Sequence, residues 1–264
     1  MATAMKAAPS VKDSCSAEEW ALRIDLAAAY RLVAMYGWDD MIFTHLSVRI
    51  PGPEHHFLIN PYNLMFEEIT ASSLVKIDMN GNPVDETPYV VNAAGFTVHS
   101  AVHMARDDAH AVIHLHTPSG QAVAAQAEGL LPISQTAMAV VNRLSYHDYE
   151  GIATDLEERA RLGSDLGATN TAMILRNHGT LTVGKTMAEA FVSMYYLERA
   201  CEVQVKALSA GLKGLNNPPQ GTPEKVHGQT EMIGVVADKL AARPADPAGF
   251  AARRQRTRRA RQRS

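Results

Sequence analysis

The chain opens its ordered part with a helical period. In "SAEEWALRIDLAAAYRLVAMYGW" apolar residues recur through Trp20, Ile24, Ala27, Ala28 and Leu32, which is the spacing of one helix face. Ser16 with Glu19 three residues later forms a capping-box pattern, and Gly37 marks the end. The period then changes. "MIFTHLSVRI" is β-rich and alternating and predicts a strand, and "FLIN" predicts another after the turn-like "PGPEHH". "SLVKIDMNGNPV" reads as a hairpin with Asn80-Gly81 at its turn. A helix is predicted over "NAAGFTVHSAVHMARDD", a strand over "AVIHLH", and a small-residue helix over "PSGQAVAAQAEG", ending at Gly129.

Further on, "DLEERARLGSDLG" is a polar-faced helix, and "TAMILRNHG" is a strand that stops at a turn. "TLTVGK" follows as a strand and "TMAEAFVSMYYLERACEVQVKALSAG" as a long amphipathic helix. This order argues an α/β protein in which strands do not strictly alternate with helices. Residues 1–16 read as a flexible arm and 17–213 as one folded domain. Residues 214–264 read as a linker, "NNPPQGTPEKVHGQ", then a short amphipathic helix over "MIGVVADKLAA" and an Arg-rich tail.

Composition adds constraints. With 264 residues, 46% hydrophobic and 20% charged, the chain can bury one sizeable core. It holds no apolar run of membrane-spanning length and no signal-like start, and its two cysteines, Cys15 and Cys201, form no ligand pair. A reducing cytoplasm is expected. The net charge is -3, yet seven arginines lie between Arg253 and Arg263, and without them the chain stands near -10. An acidic body does not support nucleic-acid binding, and a terminal basic run is most often a solvated arm.

Chemistry is suggested by the eleven histidines. His114 and His116 stand two apart at the end of an apolar strand, so both rings project to one face. An HxH pair alone more often marks two polar residues at a strand end than a ligand pair. His178 repeats the context in "MILRNHGTL". Three neutral imidazoles suit a divalent metal and leave positions open for water or substrate. His99 and His103 are spaced four apart on a predicted helix, which is also a ligand spacing, and His103 is expected instead to lie on a polar face or to hydrogen-bond inside the domain. His45 follows a strand threonine. His55, His56, His110 and His227 fall in loop-like segments. His147 stands with Tyr146, Asp148, Tyr149 and Glu150, a cluster rich in proton-transfer groups. GxSxG, Walker A and GxGxxG patterns are absent.

"THLSVR", "FLINPYNLMFEEITASSLVKID", "HSAVHMARDDAHAVIHLHT", "YHDYEG" and "MILRNHGTLTVG" follow one another in an order that resembles the class II aldolase/adducin family over about residues 18–210. The resemblance implies a single three-layer α/β/α domain with a central, mainly antiparallel sheet. It also implies a divalent metal, Zn²⁺ first and Mn²⁺, Fe²⁺ or Co²⁺ next, on His114, His116 and His178, and a homotetramer with sites near subunit interfaces. The departures matter equally. Aldolases of the family carry Gly-Asn where this chain has Thr44-His45, Thr-Gly where it has Tyr62-Asn63, and Ser-Ser-Glu where it has Ala93-Ala94-Gly95. Those elements supply the family's phosphate pocket and its proton-transfer Glu, and a glycine cannot move a proton.

The expectation is therefore a metal-dependent carbon–carbon lyase for a non-phosphorylated small hydroxy or keto acid or carbonyl compound. Decarboxylation suits the missing Glu better than aldol cleavage. Tyr149 and His147 are candidate proton donors, with His99 and His45 behind them. The alternatives are a non-haem iron oxygenase on the same scaffold and an adducin-like interaction protein with a vestigial metal site.

Overall fold

The computed structural model describes residues 11–153 and 155–230. The expected helix at 232–242 and the arginine tail lie outside the described residues. A four-residue helix, α1 (Val11–Ser14), stands inside what reads as the N-terminal arm.

Helix α2 (Ala17–Tyr36) starts where the pattern places it: the Ser16 hydroxyl accepts from the Glu19 amide at 3.0 Å, and Gly37 closes the far end at φ 70°. Glu19 does not complete the box. Its carboxylate turns instead to the buried Arg23 guanidinium at 2.8 Å and to Lys76 Nζ at 3.2 Å, which ties α2 to the sheet. The strands are β1 (His45–Arg49), β2 (Phe57–Ile59), β3 (Val75–Ile77), β4 (Ala111–Leu115), β5 (Leu144–His147), β6 (Ala172–Leu175) and β7 (Gly179–Gly184). Helices α3 (Ala93–Ala105), α4 (Pro118–Ala124), α5 (Gln135–Val140), α6 (Glu158–Leu166), α7 (Met187–Ala207) and α8 (Thr222–Gln229) complete the described elements.

The seven strands form one sheet in the order β3-β2-β1-β4-β7-β6-β5. Neighbours are antiparallel except β5 and β6, so the sheet is mixed. The parallel pair arises at the edge because α6 carries the chain from the end of β5 back to the start of β6. Alternation along each strand feeds two cores. Leu46, Val48, Ile113 and Leu115 pack with α2, α4, α5 and α7, while Val112, Leu181 and Val183 pack with α3 and α6. Three layers result, as the resemblance implies.

The segment read as linker contains α8. Gly221 enters it at φ 80° and Pro223 occupies its first turn, where a missing N–H costs nothing. α8 packs against α5. Gly and Pro therefore punctuate a short docked helix here and do not mark free chain.

Candidate metal centre

β4 delivers His114 and His116 to the end of the strand, and the β6–β7 turn delivers His178 to the same end. That turn is tight: Asn177 sits at φ 55°, and the His178 amide bonds the Leu175 carbonyl at 3.0 Å. Gly179 makes the approach of β7 to β4 feasible, since a Cβ there would lie 2.4 Å from the Leu115 carbonyl oxygen. The ligating atoms of the three rings fall within 4.8 Å of one another. His114 is buried, and the other two are partly exposed.

Neighbouring acceptors fix the tautomers. His114 Nδ1 donates to the Thr180 carbonyl at 3.0 Å, and His116 Nδ1 donates to Asp40 Oδ2 at 3.2 Å. Each neutral ring then presents only a lone pair at Nε2. Those two Nε2 atoms are 2.9 Å apart. Neither has a proton to give the other, so the pair repels unless a cation sits between them. That donor set fits a divalent metal, and the outer hydrogen bonds are of the kind that orient metal-bound histidines. Burial keeps the rings neutral, as ligation requires: desolvation pushes His114 well below its usual range, His178 down to about 4, and His116 downward against the opposing pull of Asp40.

Under the triad, on the α7 face, Glu198 accepts from the Thr117 and Thr180 hydroxyls, the latter at 2.9 Å. It joins the residue after His116 to the residue whose carbonyl holds His114. Burial raises its carboxyl to about 7.

Tyr149 stands at the rim, 53% exposed, with its ring 6.2 Å from that of His178. His147 is buried and bonded through Nδ1 to Asp165 at 2.7 Å and through Nε2 to Glu158 at 3.4 Å, which ties β5 to α6. His99 is fully buried between His45 and Ser47, with both nitrogens engaged. His103 bonds Ser47 and the Ala109 carbonyl inside the domain and does not lie on a polar face. His55 is exposed, while His227 belongs to α8 and takes a hydrogen bond from Arg143 Nε at 3.3 Å. A cleft of about 470 Å³ lined by Arg106, Arg143, Lys185 and His227 opens at the opposite end of β4, and no triad residue lines it.

Sequence reasoning missed Asp40, the Thr180 carbonyl and Glu198. Asp40 lies 76 residues from His116 in a "WDD" with no pattern. A backbone carbonyl carries no residue-type signal at all.

Residues 24–205 match the model of the class II aldolase and adducin N-terminal domain. The chain belongs to the class II aldolase and adducin family. A Caulobacter vibrioides protein whose name places it with the class 2 aldolases is 59% identical over 84% of this chain and 86% of its own length. Rat alpha-adducin is 43% identical over 84% of this chain, which spans only 30% of that longer protein. Among solved structures, an aldolase II superfamily protein from Pseudomonas syringae superposes with a TM-score of 0.81 at 47% identity, covering 97% of both chains. The L-fuculose 1-phosphate aldolase of Glaciozyma antarctica superposes with a TM-score of 0.71 at 28% identity, covering 89% of this chain and 94% of its own. The family thus holds both aldolases and adducins, and no helix among the described residues is long and apolar enough to cross a membrane.

Proposed function

We propose that this member of the family is a metal-dependent carbon–carbon lyase for a non-phosphorylated small hydroxy or keto acid, with His114, His116 and His178 as the metal ligands. The convergence of two proton-free Nε2 atoms at 2.9 Å carries the reading, because a protein without a cation there would keep a repulsive contact for nothing. When bound, the ion supplies a Lewis acid for a carbonyl or hydroxyl oxygen. Tyr149, at the rim beside His178, is the proton donor to the product carbon. His147 is a positioning residue that holds the 147–150 turn through Asp165 and Glu158, and His99 acts one layer behind the site. Zn²⁺ is the first assignment for three imidazoles, with Mn²⁺, Fe²⁺ and Co²⁺ as alternatives. The same reading makes the protein a cytoplasmic homotetramer.

The adducin relatives favour a second reading, an interaction protein with a vestigial site. Elemental analysis of anaerobically purified protein separates the two, followed by a screen of hydroxy and keto acids for CO₂ release or carbon–carbon cleavage. One metal per chain with turnover of such an acid is expected. No metal would sink the lyase, and stoichiometric iron with O₂ uptake would move the assignment to oxidation. L-fuculose 1-phosphate should not be cleaved, because Thr44-His45, Tyr62-Asn63 and Ala93-Ala94 stand where its aldolases build a phosphate pocket.

A further inference from the structure

A line of polar side chains runs between β1 and α3, and it has a direction. Two residues along a strand advance about 6.7 Å, and four along a helix advance about 6 Å, so the row His45, Ser47 stays in step with the row Gly95, His99, His103. His45 Nδ1 is 2.9 Å from His99 Nε2. Ser47 Oγ is 2.5 Å from His99 Nδ1 and 2.8 Å from His103 Nε2, and His103 Nδ1 is 3.0 Å from the Ala109 carbonyl. A carbonyl only accepts, so His103 donates to it from Nδ1. Neutral His103 can then only accept at Nε2, and the Ser47 hydroxyl spends its one proton there. Toward His99 that hydroxyl accepts, so His99 donates from Nδ1 and accepts at Nε2 from His45 Nδ1. The far end, His45 Nε2, is left with a lone pair and no proton. Desolvation keeps all three rings neutral.

The His45 ring borders the triad site. His45 lies directly across from His114 in the β1–β4 register, with ring centroids 5.0 Å apart. Its ring fills the space over Gly95, where a Cβ would fall 2.7 Å from His45 Cδ2 and 3.2 Å from Nε2. His45 is 3% exposed, and its Nε2 makes no hydrogen bond among the described residues.

We propose that His45 is a specificity-determining residue of the triad site: its Nε2 accepts a hydrogen bond from a ligand hydroxyl and repels an ether or anionic oxygen, and His99, Ser47 and His103 are positioning residues that lock this tautomer. The proposal rests on the reading of the triad as the metal and ligand site. It narrows the ligand to an acid or carbonyl compound that carries a free hydroxyl beside the metal-binding group.

The first test needs neither metal nor ligand. In long-range ¹H–¹⁵N spectra of metal-free protein labelled at histidine, with His45 assigned from His45→Gln, His45 should show a protonated Nδ1 and a bare Nε2. In Ser47→Ala it should divide between tautomers. A protonated Nε2 in the wild-type protein overturns the proposal. The second test follows the visible spectrum of cobalt-loaded protein titrated with lactate and with 2-methoxypropionate. Lactate should bind at least about tenfold tighter, since its hydroxyl can donate to the His45 lone pair and the ether oxygen cannot. The ratio should collapse toward one in His45→Phe at unchanged cobalt content, and fall in Ser47→Ala should His45→Phe fail to fold. Equal binding by the wild-type protein, an unchanged ratio in the variants, or no response to lactate each count against it. Failure to take up cobalt would instead break the metal reading, and the metal-free spectra would still decide the tautomer.

Discussion

Two groups of histidines lie side by side on one face of the sheet, and their nitrogens are used in opposite ways. In the His45–His99–His103 row, imidazole nitrogens pair with one another through Ser47 and end on a carbonyl. In the triad, His114 and His116 spend only Nδ1 on the protein and hold Nε2 back, at a point where His178 also arrives. Desolvation keeps both groups neutral, so charge does not separate them. The hydrogen-bond pattern does: every ring nitrogen of the row but His45 Nε2 has a partner that completes a donor–acceptor pair, whereas the Nε2 atoms of His114 and His116 meet as two lone pairs.

The most severe break in that comparison is removal of the triad rings. His114→Ala, His116→Ala and His178→Ala should each lose most of the bound metal, while His55→Ala and His227→Ala keep it. Metal content after dialysis measures this, and full occupancy in the triad variants would remove the distinction between the two groups.

Glu198 tests the floor beneath the triad. Its folded value of about 7 stands above the ordinary 4.5, so the folded chain keeps a proton that the unfolded chain gives up between those values. The resulting stabilisation is complete below pH 4.5 and is lost as pH rises through 7, to a total of the order of 3 kcal/mol. Glu198→Gln should flatten that part of the pH profile in urea unfolding at pH 5 and 7.5. An unchanged difference between the two pH values would show that Glu198 is ionised in the fold.

Ser47→Ala strikes the hydrogen-bonded row. It leaves a His99 N–H and a His103 lone pair buried without a partner, at a cost of about 2 kcal/mol. Urea unfolding should report that loss with metal content unchanged. Metal loss from this variant would mean that the row and the triad are one unit.

The parts of the fold legible in the sequence are those with a strong period and chemical ends. Helix α2 has its Ser16 cap and Gly37 stop, although the face it buries runs through Leu26, Tyr30 and Val33 and leaves Ile24, expected inside, 49% exposed, and β4 has an apolar run that stops at His114 and His116. Strand β5 is harder to see because it is the sheet edge: only His147 of its four residues is buried, so no alternation is imposed on "LSYH". Helix α8 hides behind Gly221 and Pro223, residues that serve a helix start as well as a linker. The site divides in the same way. The rings of His114, His116 and His178 announce themselves by residue type and strand context. What orients them comes from Asp40, a carbonyl on β7 and a register between β1 and α3, and these exist only once the chain is folded.

Asp40 offers the finest cut between the two groups, because it touches the triad from outside the sealed interior. Its carboxylate is 43% exposed and meets His116 Nδ1 at 3.2 Å. Water screens an interaction at that exposure, so the pair adds little to the stability of the fold. Its effect on the ring is directional: it fixes the tautomer that leaves Nε2 bare and raises the basicity of that nitrogen. Asp40→Asn keeps the size and an oxygen able to accept from Nδ1 but loses the charge. Metal affinity should fall about tenfold, or about 1.4 kcal/mol, while the unfolding midpoint of the metal-free protein stays within error of the parent. Competition against a chelator reads the first quantity and thermal unfolding the second. An affinity equal to the parent's would make Asp40 a bystander, and a fall in metal-free stability would place it with the structural row after all.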